Sequence, residues 1–252
     1  MTQVAAEGPI FLGIIIPAFN EDMRLLPTLT RLAEYYGSQA YTWAVWVVDD
    51  GSLDQTGHLV EEFAANHPCF KLISYSPNRG KGFAVRKGML EVEAEMLLFC
   101  DADLATPQEE TEKLLKSINS GFDLAIGSRP LKQSHLDIRQ PWYRELLGRS
   151  FNGLVQVLAV KGIHDTQCGF KLFTKSAARD VFSRCEIDRY SFDIEALMIA
   201  RDLNLKIDEV PIHWAHQEGS KVSIVRDGAK MIRDLIMLRV RGKRRRLAVK
   251  SP

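Results

Sequence analysis

No stretch of this 252-residue chain supplies the ~20 consecutive apolar residues of a membrane-crossing helix; the run from Ile10 to Ile16 is far too short. Residues 1–8 carry Glu7 and neither Lys nor Arg, so the sequence reads as having no signal peptide. Cysteine is scarce: Cys69, Cys100, Cys168 and Cys185 show no CxxC spacing, and Cys100 and Cys168 sit in apolar surroundings. Free thiols in a reducing cytosol are the expectation. No GxxxxGK[ST] loop appears, which argues against an ordinary nucleotide hydrolase, and no GxSxG elbow appears, which argues against a serine hydrolase. Charge of either sign is nearly balanced at +1, so nucleic acid is not an expected partner. Acidic residues are missing after Asp234, whereas Arg239, Arg241, Lys243, Arg244, Arg245, Arg246 and Lys250 crowd the end. Repeats and low-complexity segments are missing too.

What is present is a regular alternation. Short runs rich in Val, Ile and Phe predict strands at Phe11–Ile16, Ala44–Val48, Phe70–Tyr75, Met96–Cys100 and Phe122–Ile126. Amphipathic stretches between them predict helices at Arg24–Tyr36, Asp54–Asn66, Gly80–Glu91 and Gln108–Ile118, with Pro27 and Pro107 in first turns. This is the pattern of an α/β protein with a mostly parallel sheet. The second half is less regular: helices are expected at Trp142–Val160, Lys175–Ser183, Phe192–Asp202 and Val225–Val240, and strands at Gly169–Phe173 and Lys206–Val210. The polar, basic segment Ser128–Gln140 reads as a mobile loop over a site.

Each early strand ends in a polar cluster, and in open α/β sheets ligands bind at the carboxyl ends of strands. Asp101-Ala102-Asp103 follows Met96–Cys100, where two carboxylates suit an oxygen-seeking cation such as Mg2+ or Mn2+ bridging phosphates, although a DxD turn can also cap a helix. Asp49-Asp50-Gly51-Ser52 offers acceptors for a ribose or base N–H, or a cap for the next helix. Pro17-Ala18-Phe19-Asn20-Glu21 could hold a nucleobase or form a plain turn. Asn78-Arg79-Gly80-Lys81-Gly82 combines glycines, which let backbone approach a ligand, with phosphate-attracting cations at a helix start. Its third glycine position is Val85, so it fails the dinucleotide spacing. His213, His216 and Glu218 read as a strand edge around Trp214 rather than a metal site.

Together these four ordered motifs resemble family 2 inverting glycosyltransferases of the GT-A fold. Gly127-Ser128-Arg129, the run Asp165–Phe173, Phe192-Asp193-Ile194-Glu195 and Gly219-Ser220-Lys221 are similar to the dolichyl-phosphate β-glucosyltransferase branch, and the resemblance spans about Ile14 to Leu238. It implies one GT-A domain over 1–238, with a nucleotide-sugar half (10–128), an acceptor half (129–238) and a basic tail (239–252). It implies transfer of a hexose, glucose from UDP-glucose favoured over mannose from GDP-mannose, to a polyprenyl phosphate. By matching motifs, Pro17, Ala18, Phe19, Glu21, Asp49, Asp50, Ser52, Asn78, Gly80, Lys81, Asp101, Ala102, Lys171 and Lys221 would bind the donor. Asp101 and Asp103 would hold the metal, and Arg129, Arg139 and Arg144 the acceptor phosphate. Asp103, Arg129 and Asp165 form the implied catalytic set. The sequence departs from related mannosyltransferases at Ala105, where a Gln often serves as metal ligand, and lacks the membrane helix common in the family.

A phosphate acceptor arrives already anionic, so no strong base is needed, and inversion follows from a single in-line displacement. A same-fold transferase acting on a soluble hydroxyl would instead need a base such as Asp165 or Asp193, unless these are structural partners of Arg or Lys. Met231, Ile232, Leu235, Ile236 and Leu238 recur at helical spacing before the cationic run. That end reads either as a core helix with a solvated tail or as a dock for the cytoplasmic face of a membrane, directly or through a partner protein.

Overall fold

The structure, a computed structural model, describes residues 8–138, 153–156, 159–215 and 230–240. In chain order it contains β1 (Leu12–Ala18), α1 (Asp22–Tyr36), β2 (Trp43–Asp49), α2 (Thr56–Asn66), β3 (Phe70–Ser74), α3 (Lys81–Glu91) and β4 (Met96–Cys100). A 3-10 turn (Gln108–Glu110) leads into α4 (Thr111–Asn119), β5 (Leu124–Ser128), β6 (His135–Ile138), β7 (Phe170–Thr174), α5 (Lys175–Phe182), α6 (Phe192–Asp202), β8 (Ile207–Pro211) and β9 (His213–Ala215). Residues 230–240 are helical.

The strands form where side chains alternate between two buried faces. Along β2, Ala44, Trp46 and Val48 join one apolar cluster and Trp43, Val45 and Val47 the other. Ile15 and Phe99 repeat the division against Ile14, Ile16, Leu98 and Cys100. A sheet covered on both faces reads as a continuous apolar run, which is why the early strands are visible in the sequence.

Seven strands lie in the order β3-β2-β1-β4-β7-β5-β8. All run parallel except β7, which is antiparallel to both β4 and β5. Pairing of Cys100 with Phe170 therefore brings the segment before β7 to the edge where β4 ends, so residues 165–169 and Asp101 share one rim.

Two expectations are corrected. Helix α1 begins at Asp22, so Pro27 lies in the second turn, where its missing N–H forgoes a bond to the Met23 carbonyl. The segment expected as a loop, Ser128–Gln140, contains β6, which pairs in parallel with β9. His135 donates its backbone N–H to Ile212 O at 3.1 Å and stacks on His213 with 4.7 Å between ring centroids. A four-residue strand whose partner lies so far along the chain leaves no local signal. Of the expected helix Trp142–Val160, residues 153–156 are helical, Ala159 and Val160 are not, and 142–152 and 157–158 lie outside the described residues.

Candidate active site

The floor of the site is the carboxyl edge of β1, β2 and β4. The β1–α1 loop is laced to the β2–α2 loop: Asn20 N–H donates to Ser52 Oγ at 2.9 Å, Leu53 N–H to Asn20 Oδ1 at 2.8 Å, and Glu21 N–H to Thr56 Oγ1 at 2.7 Å. Ser52 donates to Asp49 through its backbone N–H at 3.0 Å and through its hydroxyl. The Glu21 carboxylate is clasped by Arg24, whose Nη2 lies 2.8 Å from Oε1. Ala18 is buried and its carbonyl accepts from Asp50 N–H at 2.8 Å. Pro17 and Phe19 are half-buried beside it.

Asp50, expected at the ligand, faces inward. Its carboxylate accepts from Tyr75 Oη (2.8 Å), Asn78 Nδ2 (2.7 Å), Arg79 N–H (2.7 Å) and Gly80 N–H (2.8 Å). These four bonds use the acceptor capacity of both oxygens and set the loop that presents Lys81. Asn78 is likewise spent on Asp50. The glycines of this loop serve packing: a Cβ on Gly80 would lie 2.5 Å from Asp188 O, and one on Gly82 2.5 Å from Ile187 O. Gly80 also holds φ +113°, a region that favours glycine.

At the end of β4, Asp101 Oδ1 lies 2.6 Å from Lys81 Nζ. Burial works to lower the Lys81 pKa, but the charges of Asp101, Asp193 and Asp103 and the hydrogen bond to Asp101 together outweigh it and hold the ammonium up at about 12. Asp103 Oδ1 accepts from Ala105 N–H at 3.0 Å, and burial followed by the Asp101 charge pushes its carboxyl above the usual range. Ala102 is buried and its carbonyl accepts from Thr28 Oγ1 at 2.7 Å, fixing the turn to α1. Gly169 forms the wall: a Cβ there would fall 2.0 Å from Asp101 Oδ2. Beside it lies a hollow of about 20 Å³, lined by Asp101, Ala105, Gly169 and Trp214 among others, large enough for one water.

Arg129, just beyond β5, clamps Asp165 with Nε–Oδ2 at 2.6 Å and Nη2–Oδ1 at 2.8 Å, and its backbone N–H adds a bond at 3.1 Å. Its guanidinium lies 5.4 Å from the Trp214 ring centroid. Burial alone would raise the Asp165 pKa, but Arg129 overrides it and holds the carboxyl below the usual range. Lys171 is 2% exposed; its ammonium pairs with Asp193 and donates to Cys168 O. Burial pushes the Asp193 carboxyl up against the pull of Lys171. Phe99 separates the two lysines, 5.3 Å from Lys81 Nζ and 5.7 Å from Lys171 Nζ.

The structure thus gathers Lys81, Asp101, Asp103, Arg129, Asp165, Lys171 and Asp193 around the ends of β4, β5 and β7. Arg139, Arg144, Lys221 and His216 lie outside the described residues. Two contributors escaped the sequence reading. Gly169 sat inside a quoted motif, but its necessity appears only from the Asp101 contact. Glu209, on β8, accepts from Ser128 Oγ at 2.8 Å, from the backbone N–H of His164 and from that of Asp165 at 3.0 Å, so it holds the loop that carries Asp165.

As holders of a divalent cation, Asp101 and Asp103 offer hard oxygen donors of the right chemistry. Among the described residues no third His, Cys, Asp or Glu joins them in a cluster that could hold a metal.

Known proteins resemble the chain over most of its length. The chain is 38% identical over 252 residues to the dolichyl-phosphate beta-glucosyltransferase of Saccharomyces cerevisiae, covering 92% of this chain and 75% of that one. It is 37% identical over 243 residues to the human protein of the same name, covering 91% and 75%. Among solved structures, mannosyl-3-phosphoglycerate synthase from Rubrobacter xylanophilus superposes with a TM-score of 0.66 at 17% identity, over 96% of this chain and 76% of that one. Glucosyl-3-phosphoglycerate synthase from Mycobacterium tuberculosis in complex with UDP gives 0.64 at 17%, over 96% and 82%. These likenesses establish the GT-A fold. Since the family described as Glycosyl transferase family 2 matches residues 13–182, which include the Asp101-Ala102-Asp103 turn, Arg129 and Lys171, the chain belongs to that family.

Proposed function

We propose that this chain is an inverting transferase that moves glucose from UDP-glucose to a dolichyl-type polyprenyl phosphate. The observation that carries the reading is the state of the two carboxylates that could act as a base: Asp165 is locked by Arg129 and Asp193 by Lys171. A hydroxyl acceptor needs a proton removed; a phosphate with a second pKa near ~6 does not. The site is rich in cations and short of base, which supports a phosphate nucleophile. The names of the yeast and human relatives support the same acceptor, and their sugar supports glucose.

In this reading the two laced loops at Pro17–Glu21 and Asp49–Ser52 seat the nucleotide, with Asp49 and Phe19 nearest the base and ribose. Lys81 meets the donor diphosphate, and Arg129 receives the acceptor phosphate with its Asp165 partner fixing the orientation of the guanidinium. Arg139, Arg144 and Lys221 are assigned to phosphates by their motifs alone. Asp101 and Asp103 would hold Mg2+ or Mn2+, which supplies neutralisation of the charge that develops on the leaving diphosphate. Residues 10–128 act as the donor half and 129–238 as the acceptor half. Reduced cysteines and a lipid-linked acceptor are compatible with a peripheral position at the cytoplasmic face of a membrane. Among the described residues no helix is long and apolar enough to cross one.

The test is transfer from UDP-glucose, GDP-mannose and dTDP-glucose to polyprenyl phosphate and to sugar alcohols, with Mn2+, with Mg2+ and with chelator. Glucosylated polyprenyl phosphate from UDP-glucose is the expected product. Preferred transfer to the alcohols, or from GDP-mannose, would overturn the assignment.

A further inference from the structure

The helix at 230–240 has two apolar faces, and among the described residues one is buried and the other exposed. Met231, Leu235 and Leu238 are buried, with exposures of 9%, 0% and 3%, and Asp234 beside them accepts from Ser191 Oγ at 3.1 Å. Ser191 immediately precedes α6, which carries Asp193, so the inner face is fixed to the element that holds Lys171. Facing the other way, Ile232, Ile236 and Val240 are exposed at 44%, 54% and 49%. Spaced by four, they fall within an arc of about 80° and form one stripe about 12 Å long.

The residues flanking this stripe are cationic. At ~100° per residue, Arg239 lies just to one side of Ile232 and Arg233 just beyond Val240 on the other, with Lys230 further round. Arg233 is exposed and touches Asp234 at 3.5 Å. No acidic residue follows Asp234, and five more Arg or Lys lie between 241 and 246. We infer that Ile232, Ile236 and Val240 dock the chain on an anionic bilayer surface, with Arg233 and Arg239 straddling the headgroups.

Three side chains on a 12 Å line are too few for a stable protein interface, which buries about 800 Å² on each partner. They are enough for shallow insertion when basic residues supply attraction to anionic lipid, which is the composition of an in-plane helix. Long cationic side chains can keep their stems along the apolar stripe and their heads at the phosphates. Pinning of the inner face through Asp234 keeps the stripe outside the core. The inference rests on the proposed lipid acceptor for its purpose, since such an enzyme must meet its substrate at a membrane, but vesicle binding is measured without any transfer.

Flotation with vesicles of phosphatidylcholine alone, and of phosphatidylcholine mixed with phosphatidylglycerol, tests it. The chain should float with the mixed vesicles at low salt. Ile232→Ser/Ile236→Ser/Val240→Ser should bind them about tenfold less, with unchanged thermal unfolding and unchanged UDP-glucose binding. The inference is overturned if the triple variant floats as well as its parent, if the parent floats with neither vesicle, or if the substitutions instead convert a dimer to a monomer. Stripe-dependent flotation in a chain that glucosylates no polyprenyl phosphate would overturn the acceptor assignment and leave the docking surface standing.

Discussion

At the residue scale the site is a set of charges that neutralise one another before any ligand arrives. Lys81 with Asp101, Arg129 with Asp165 and Lys171 with Asp193 are three neighbouring pairs, the first partly exposed and the last fully buried. Losing one member of such a pair strands the other. Asp103→Asn is the mild case, because among the described residues no ion pair within salt-bridge distance is formed by Asp103: the melting temperature should stay within a few degrees while Mn2+-dependent UDP-glucose binding is lost in calorimetry. Undiminished binding would remove the metal assignment. Asp165→Asn should destabilise by about 3 kcal/mol at pH 7 in urea unfolding, since it leaves Arg129 unpaired. Because the Asp165 pKa is lowered in the folded state, its stabilising contribution is present above its unfolded value of about 4 and is lost as pH falls through the folded value. The gap between variant and parent should therefore narrow below about pH 4; a constant gap would mean the carboxylate charge is not what stabilises.

At the scale of elements, the reversal of β7 makes the site. A parallel strand in that place would carry Asp165–Gly169 to the opposite edge of the sheet, away from Asp101. Its close approach needs a residue without a side chain: Gly169→Ala would put a methyl 2.0 Å from Asp101 Oδ2. We expect Gly169→Ala to lose at least tenfold in UDP-glucose affinity by displacing Asp101 from Lys81, with a stability loss of about 1–3 kcal/mol from overpacking. Wild-type affinity in this variant would show that Asp101 tolerates displacement. The early strands were legible because both faces of each are apolar, and α6 was legible because its run of apolar positions is local. The pairing of β7 between β4 and β5, and of β6 with β9, is set by partners distant in sequence, so period and composition carry no trace of it.

For the whole molecule, the proposed lipid acceptor ties the site to a membrane surface. The basic residues beyond 240 lie outside the described residues. Truncation after Val240 removes them but spares the exposed stripe. It should weaken flotation with anionic vesicles mainly at low salt and leave UDP-glucose binding intact, because screening acts on the charges and not on the stripe. Equal loss at high and low salt would mean the tail contributes something other than charge.

The amino-acid sequence by itself determined the sheet's first strands, the clusters at their ends and the chemistry available there, because these depend on local apolar runs and on residue type. Only the tertiary structure decided how that chemistry is used. Asp50 is identical in type to Asp49 and adjacent to it, yet Tyr75, Asn78, Arg79 and Gly80 converge on it and make it the anchor of the Lys81 loop. Asp165 could be a base or a partner from its sequence, and the position of Arg129 makes it a partner. Ile232, Ile236 and Val240 share a helical pattern with Leu235 and Leu238, and the placement of the helix leaves the first three at the surface. In each case the physical reason is the same: a side chain's role is fixed by which groups the fold brings within hydrogen-bonding or van der Waals distance, and those groups are remote in sequence.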